Sequence, residues 1–295
     1  MNSKEINTIT IAHKSKHKKT WKRVLTYVFL IFVGFFMIYP LIWLFFSTFK
    51  DNTELFGSIA LIPQNFSWDA FIQGWKGSGQ YTYTTFYLNT LALVLPTVIF
   101  TVLSTGIVAY GFARFKFPGR NVLFMLMIST LMLPDAVIII PRYLIFKQLG
   151  WINTYMPFWM PALFACYPFF IFMQMQFLRG IPRELDEAAR VDGCNPFMIY
   201  VRILFPLMKP AMFSVIIFQF LWRWNDYFNN LIYISSVKRY TLSLALKMSI
   251  DSQGSITQWN EVLAMSFVSM IPPTLLFFFA QKYFVEGITT SGLKG

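Results

Sequence analysis

Six stretches of this chain are each long and apolar enough to cross a lipid bilayer, and few folds accommodate that. They cover residues 24–46, 91–112, 122–140, 155–178, 210–234 and 264–284. A bilayer's hydrocarbon core is about 30 Å thick, so a spanning helix needs roughly 20 predominantly apolar residues. The predicted fold is all-α and integral to the membrane, with six transmembrane helices. Composition agrees: 56% of residues are hydrophobic and only 13% are charged, with 34 Phe among 295 residues. A soluble domain carries about a quarter charged residues.

Charge then orients the spans. Lys14, Lys16, Lys18, Lys19, Lys22 and Arg23 precede the first span. That span is too long for a signal-peptide core and no small-residue cleavage site follows it, so it is read as retained. Cytoplasmic loops collect Lys and Arg, which puts residues 1–23 inside as a basic tail. Six crossings return the C-terminus to the same side, with 285–295 as a cytoplasmic tail. The link carrying Arg114, Lys116 and Arg120 then falls inside, and so does the insert at 179–209 with Arg179, Arg183, Arg190, Arg202 and Lys209. The loop 47–88 falls outside, and Ser67-Trp68-Asp69 within it reads as a helix start with Ser67 as cap. The net charge of +12 is therefore that of membrane loops, with no nucleic-acid partner implied. Cys166 and Cys194 do not read as a disulfide or as metal ligands, and His13 and His17 read as solvated side chains of the tail.

The insert is a polar interruption in an apolar chain. Pro182 suits a first helical position, and Glu184, Asp186 and Glu187 complement a helix start. Asp186 and Arg190 are spaced to pair. Gly193 fits a left-handed stop, and Asn195-Pro196 opens a second short helix running toward Pro206. The pattern predicts helix–turn–helix across the cytoplasmic face, with Ala188 and Ala189 offering close approach to another protein. An amphipathic connector lying at the interface fits the same residues.

The spacing Glu187-Ala188-Ala189, three residues, Gly193, nine residues, Ile203, one residue, Phe205-Pro206 resembles the EAA motif of ABC importer permeases, with Phe205 where the motif has Leu. Asp192, Leu207 and Pro210 match the sugar-importer branch. Asn89-Thr90, the run Ala109-Tyr110-Gly111-Phe112-Ala113-Arg114, Trp224-Asn225-Asp226 and the closing Gly292-Leu293-Lys294-Gly295 are similar to the MalG-like permease family. The resemblance implies a MetI-like permease domain over 24–295 that imports a carbohydrate, an oligosaccharide by preference, in the plasma membrane of a prokaryote. It implies a MalF-like second permease subunit, an ATPase homodimer and an extracytoplasmic solute-binding protein as partners. The insert becomes a coupling helix: Glu187, Ala188, Ala189, Asp192, Gly193, Ile203 and Pro206 would dock the ATPase, with Glu187 in a charge pair. Gly292, Lys294 and Gly295 would form a second contact at the ATPase seam. The chain itself would catalyse no covalent chemistry and bind no cofactor, ATP and Mg²⁺ being held by the ATPase. Independently of any family, the sequence has no Gly-four-residues-Gly-Lys-Ser/Thr loop for phosphate.

Within the fifth span, Arg223, Asn225 and Asp226 read either as a substrate-path or gate group or as an interfacial belt in which Arg223 and Asp226 pair locally. Arg223 and Arg142 would be the partners of an acidic saccharide. Pro134, Pro161, Pro168, Pro272 and Pro273 mark kinks or interruptions, as hinges or as static bends. An ion-coupled secondary transporter is the rival class; it needs coupling-ion ligands near broken helices, for which only Asp135, Asp226 and their neighbours qualify. A non-transporting membrane scaffold is the other.

Overall fold

The structure is a computed structural model that describes residues 3–77, 80–251 and 257–292, with side chains over 21, 23–77, 80–251 and 257–281. Every regular element among them is helical. In order they are α1 (Ser3–Ser47), α2 (Asn52–Gly57), α3 (Asp69–Lys76), α4 (Tyr83–Arg114), α5 (Arg120–Thr130), α6 (Asp135–Gln148), α7 (Met156–Leu163), α8 (Pro168–Gly180), α9 (Glu184–Val191) and α10 (Pro196–Met198). A π-turn (Ile199–Leu204), α11 (Phe205–Leu207), α12 (Lys209–Trp224), α13 (Phe228–Tyr233), a 3₁₀ turn (Val237–Arg239), α14 (Leu242–Asp251) and α15 (Trp259–Gly292) follow.

The chain forms two compact units. The first comprises Met1–Ile72 and Gln258–Phe267. Its described part centres on Phe49, whose ring meets Phe66, Trp68 and Phe71 at 4.7–5.5 Å. Asn52 donates to Gln258 (2.7 Å) and accepts from Asn260 N–H (3.2 Å), which ties the distant segment in. Lys50, in the expected outer loop, is buried and donates to the Ala60 carbonyl. Ser67 opens α3 as expected, accepting from Asp69 N–H and donating to its carboxylate.

The second unit, Gln73–Thr257 with Val268–Gly295, is organised on α4. At 1.5 Å per residue its 32 residues reach about 48 Å, longer than the hydrocarbon core. Residues 90, 94, 97, 98, 101, 102, 105, 109 and 113 recur at three- and four-residue intervals and are buried. Leu95, Ile99, Leu103 and Ile107 form the opposite stripe and are exposed. One face therefore packs within the unit, and the other has only apolar side chains to offer lipid or a neighbour. The buried face carries hydroxyls: Thr90, Thr97, Thr101 and Thr105 each donate to the carbonyl four residues back. Gln219 of α12 donates to Thr101 (3.0 Å) and Gln174 of α8 to Thr105 (2.7 Å), so side-chain amides clasp three helices together. Such interhelix bonds contribute about 0.6–2 kcal/mol each in a bilayer.

Four stretches are candidate spans without a sharp bend: Arg23–Ser47, Tyr83–Arg114, Met156–Gly180, which comprises α7 and α8, and Trp259–Gln281. The third and fifth expected spans are bent pairs. Arg120–Thr130 and Asp135–Gln148 meet at 104°, and Pro196–Leu207 and Lys209–Trp224 at 74°. In the first pair Pro134 lacks an N–H and disfavours helix at Leu133, so the helix stops; eleven residues of α5 reach only about 16 Å. In the second, Pro206 and Pro210 flank the break, and α12 ends at Trp224, so residues 225–234 do not continue the crossing as expected. Pro272 and Pro273, by contrast, lie inside a continuous α15.

Candidate functional site

The polar insert is the helix–turn–helix its sequence predicts, with three differences. First, α9 starts at Glu184 after an Arg183 whose carbonyl accepts from Asp186 and Glu187 N–H, so Pro182 lies ahead of the helix rather than inside it. Second, Asp186 does not pair with Arg190. It meets Arg114 at the end of α4, Oδ2 to Nε 2.8 Å, with the two side chains only 9% and 5% exposed. Asp186 lies on the inner face of α9, which directs its carboxylate toward α4; Arg190 is exposed. Third, Ala189, expected on the docking surface, is buried and packs within the chain.

The stop at Gly193 holds. Its φ is +82°, Gly193 N–H donates to the Arg190 carbonyl (3.0 Å) and Cys194 N–H to Ala189 (2.9 Å). This double closure needs a left-handed residue, which glycine adopts without a Cβ penalty. Asn195 then caps the next turn, accepting from Met198 N–H at 2.8 Å.

Several further contacts clasp the insert onto α4. Arg114 Nη2 donates to the Ile181 carbonyl (3.0 Å), Arg183 Nη2 to Ala113 (3.2 Å) and Tyr110 Oη to Pro196 (3.0 Å). Tyr110 stacks on Tyr200 of the π-turn at 5.1 Å. Tyr200 Oη in turn lies where Gly106 has no side chain: a Cβ there would sit 2.6 Å from it and 2.8 Å from Gln174 Oε1. The insert is thus fastened to α4 through an ion pair, backbone acceptors and stacked rings.

Glu187, Ala188, Asp192 and Pro206 are exposed on this elbow, and Ile203 is half-buried. Among the described residues Glu187 has no ion-pair partner. The sequence reading missed Val191 and Phe197, which are 88% and 70% exposed on either side of Gly193. Two apolar side chains bracketing a polar turn were the available signal. Of the expected tail contact, Gly292 closes α15, and Lys294 and Gly295 lie outside the described residues.

At the other end of α12, Arg223 and Asp226 pair at 2.6 Å, the local pairing foreseen as one of two readings. Arg223 also lies over the rings of Phe158 and Tyr167 at 5.7 and 5.6 Å. Asp226 accepts from Asn229 N–H (3.1 Å), which starts α13. Arg142 reaches the same cluster through Tyr233 Oη (3.0 Å) and Asn229 Oδ1 (3.4 Å). Asn225 is exposed and donates to its own helix at Leu221. The motif residues Asn89 and Thr90 anchor the segment before α14: Asn89 donates to the Lys238 and Tyr240 carbonyls, and Thr90 Oγ1 accepts from Leu242 N–H.

Comparison with known proteins follows the same lines. The chain is 33% identical to the arabinooligosaccharides transport system permease protein AraQ of Halalkalibacterium halodurans, over 90% of this chain and 94% of that one. It is 30% identical to the sn-glycerol-3-phosphate transport system permease protein UgpE of Pectobacterium atrosepticum, over 91% and 96%. A bacterial ABC transporter involved in the import of the acidic polysaccharide alginate contains a chain of the same fold, with TM-score 0.79, 23% identity, and 88% and 95% of the two chains covered. Residues 103–290, which hold the elbow, its anchor on α4 and the Arg223 cluster, match the family described as binding-protein-dependent transport system inner membrane component, and the chain belongs to that family.

Proposed function

We infer that this permease is one of a pair of membrane subunits that carry an oligosaccharide inward, driven by a separate ATPase that grips the elbow from the cytoplasm. The carrying observation is the construction of α9: an exposed helix stopped at a left-handed Gly193 and fastened to the longest helix of its unit by the buried Arg114–Asp186 pair. A helix exposed on one face and anchored on the other transmits force without melting. Glu187, Ala188, Asp192 and Gly193 form the polar part of the docking surface, with Ile203 and Pro206 closing the elbow; Ala189 supports it from beneath. ATP and Mg²⁺ belong to the ATPase, and the residues 292–295 are a second contact to it. Residues 1–23 and the C-terminus share the elbow's side of the membrane.

The substrate class rests on the relatives. Arabinooligosaccharides, alpha-glucosides and alginate are named among them, alongside the smaller polyol phosphate sn-glycerol-3-phosphate. A solute-binding protein supplies the sugar; the structurally similar bacterial alginate ABC transporter has been seen in complex with an alginate pentasaccharide-bound periplasmic protein. The test is reconstitution of the complete importer and measurement of labelled oligosaccharide uptake. Uptake should require ATP and survive a protonophore. Glu187→Lys and Gly193→Pro should release the ATPase on co-purification, the second because proline cannot adopt φ +82°. Retention of the ATPase by both variants, or uptake insensitive to ATP, refutes the reading.

A further inference from the structure

The two basic segments that the charge pattern assigns to one side of the membrane meet in a single cleft of about 550 Å³. Arg114 and Arg120 line it from one segment, and Arg179 and Arg183 from the other, with Glu184 the one carboxylate in the lining. Asp186 neutralises Arg114, and Glu184 offsets one more charge, which leaves an excess of two guanidinium charges. Among the described residues Arg120 and Arg179 have no carboxylate partner within ion-pair distance. Arg179 is steadied over the Phe124 ring at 5.7 Å, and Arg183 by the Ala113 carbonyl. A smaller hollow of about 350 Å³ adjoins on Arg120 and adds Lys116.

We propose that this cleft binds the phosphate of an anionic phospholipid headgroup. Planar guanidiniums match phosphate oxygens two at a time, and basic pockets between transmembrane helices on the cytoplasmic side suit acidic headgroups. The lipid, rather than free phosphate, follows from the surroundings: Arg120 opens α5, whose next turn shows Val122 and Leu123 largely exposed, an apolar surface for an acyl chain beside the charged hollow. An acidic segment of the ATPase is the less favoured occupant, because the exposed apolar Val191 and Phe197 lie at and beyond the opposite end of α9 from Glu184, away from the cleft. The placement at the inner leaflet rests on the reading of the elbow as cytoplasmic.

The assembled importer in nanodiscs, treated with the arginine reagent phenylglyoxal and read by peptide mass spectrometry, tests this. Three conditions are compared: phosphatidylcholine alone, phosphatidylcholine with inorganic phosphate at matched ionic strength, and phosphatidylcholine with phosphatidylglycerol. Arg179 should be shielded by phosphatidylglycerol only, while exposed Arg202 on the same elbow reports any general change at the surface. Arg120→Gln should weaken the shielding of Arg179 about fivefold, the effect of one basic residue at an anionic surface. Equal shielding by inorganic phosphate assigns a free anion and overturns the lipid. Shielding that follows the presence of the ATPase instead of the lipid makes the cleft a protein contact. Equal protection of Arg202 reduces the effect to surface charge and also overturns it. ATP-dependent uptake by the same importer reconstituted in liposomes of the same lipids separates the two readings, since loss of ATP dependence strikes the docking proposal and leaves the labelling pattern standing.

Discussion

Asp186 and Arg114 are 72 positions apart and enclosed together, a pairing that the i to i+4 rule assigned to Arg190 instead. Local spacing identifies which partners a helix can offer its own residues; it is silent on what faces the helix from elsewhere. Removing one member of a buried pair strands the other charge and costs about 3–5 kcal/mol, whereas exchanging both for apolar residues of similar volume is often neutral. Asp186→Asn is therefore expected to lower the thermal stability of the purified importer and the uptake obtained per ATP hydrolysed. Arg114→Met with Asp186→Leu should recover most of the stability. If Asp186→Asn unfolds no earlier than the exposed Asp192→Asn, the pair is not an anchor. Arg223 is occupied in the same sense. A substrate carboxylate would have to displace Asp226, 2.6 Å from an Arg223 that already lies over the Phe158 and Tyr167 rings. Arg223→Gln should impair uptake of neutral and acidic saccharides alike, and a loss confined to acidic ones in parallel uptake assays would restore Arg223 as a substrate ligand.

Among elements, α4 is the member on which the others are registered, and Gly106 sets how closely the π-turn approaches it. Side-chain contacts at 2.6 and 2.8 Å leave no room for a methyl group. Gly106→Ala must push Tyr200 and Gln174 outward, and overpacking of this kind costs about 1–3 kcal/mol. Tyr200→Phe removes the atom in the way, so the double variant should be more stable in thermal unfolding than the sum of the single effects predicts. Additive effects would mean that the contact does not limit packing. The span assignments show which elements were legible. The first, second and last spans stand as unbroken helices, and the fourth passes Pro168 without a sharp bend, because hydropathy and length decide them. Pro134 broke the third span, where sequence gave a kink but not its 104°, since a proline removes a hydrogen bond while the neighbours settle the angle. The threonine–glutamine clasp went unread because Thr and Gln in an apolar run carry no charge to draw attention, and their pairing joins residues more than 60 positions apart.

For the whole molecule, the question is what surface the permease offers the partner that drives it. The exposed polar helix and its stop at Gly193 were legible from motif spacing, since a Gly stop and an acidic helix start have sequence signatures. Val191 and Phe197 were not, because an apolar residue in a largely apolar chain is unremarkable until the fold leaves it 88% or 70% exposed. The two precede and follow the turn at Gly193, and both are far more exposed than Leu185, Val201 and Leu207 on the same segments. Interfaces concentrate their energy in a few apolar anchors, each worth about 2 kcal/mol or more on truncation, within a polar rim that excludes water. On the proposed docking, Glu187 and Asp192 would act as rim, governing approach and register, and Val191 with Phe197 would hold the ATPase once seated. Phe197→Ala is expected to weaken ATPase binding to the detergent-solubilised permease pair about thirtyfold through faster dissociation, nearly independently of salt. Glu187→Gln should act mainly on the association rate, and its effect should fade as ionic strength rises. Surface-immobilised permease with the ATPase in flow separates the two rates. A Phe197→Ala defect that disappears at high salt, or one confined to association, would show that the elbow is gripped by charge alone.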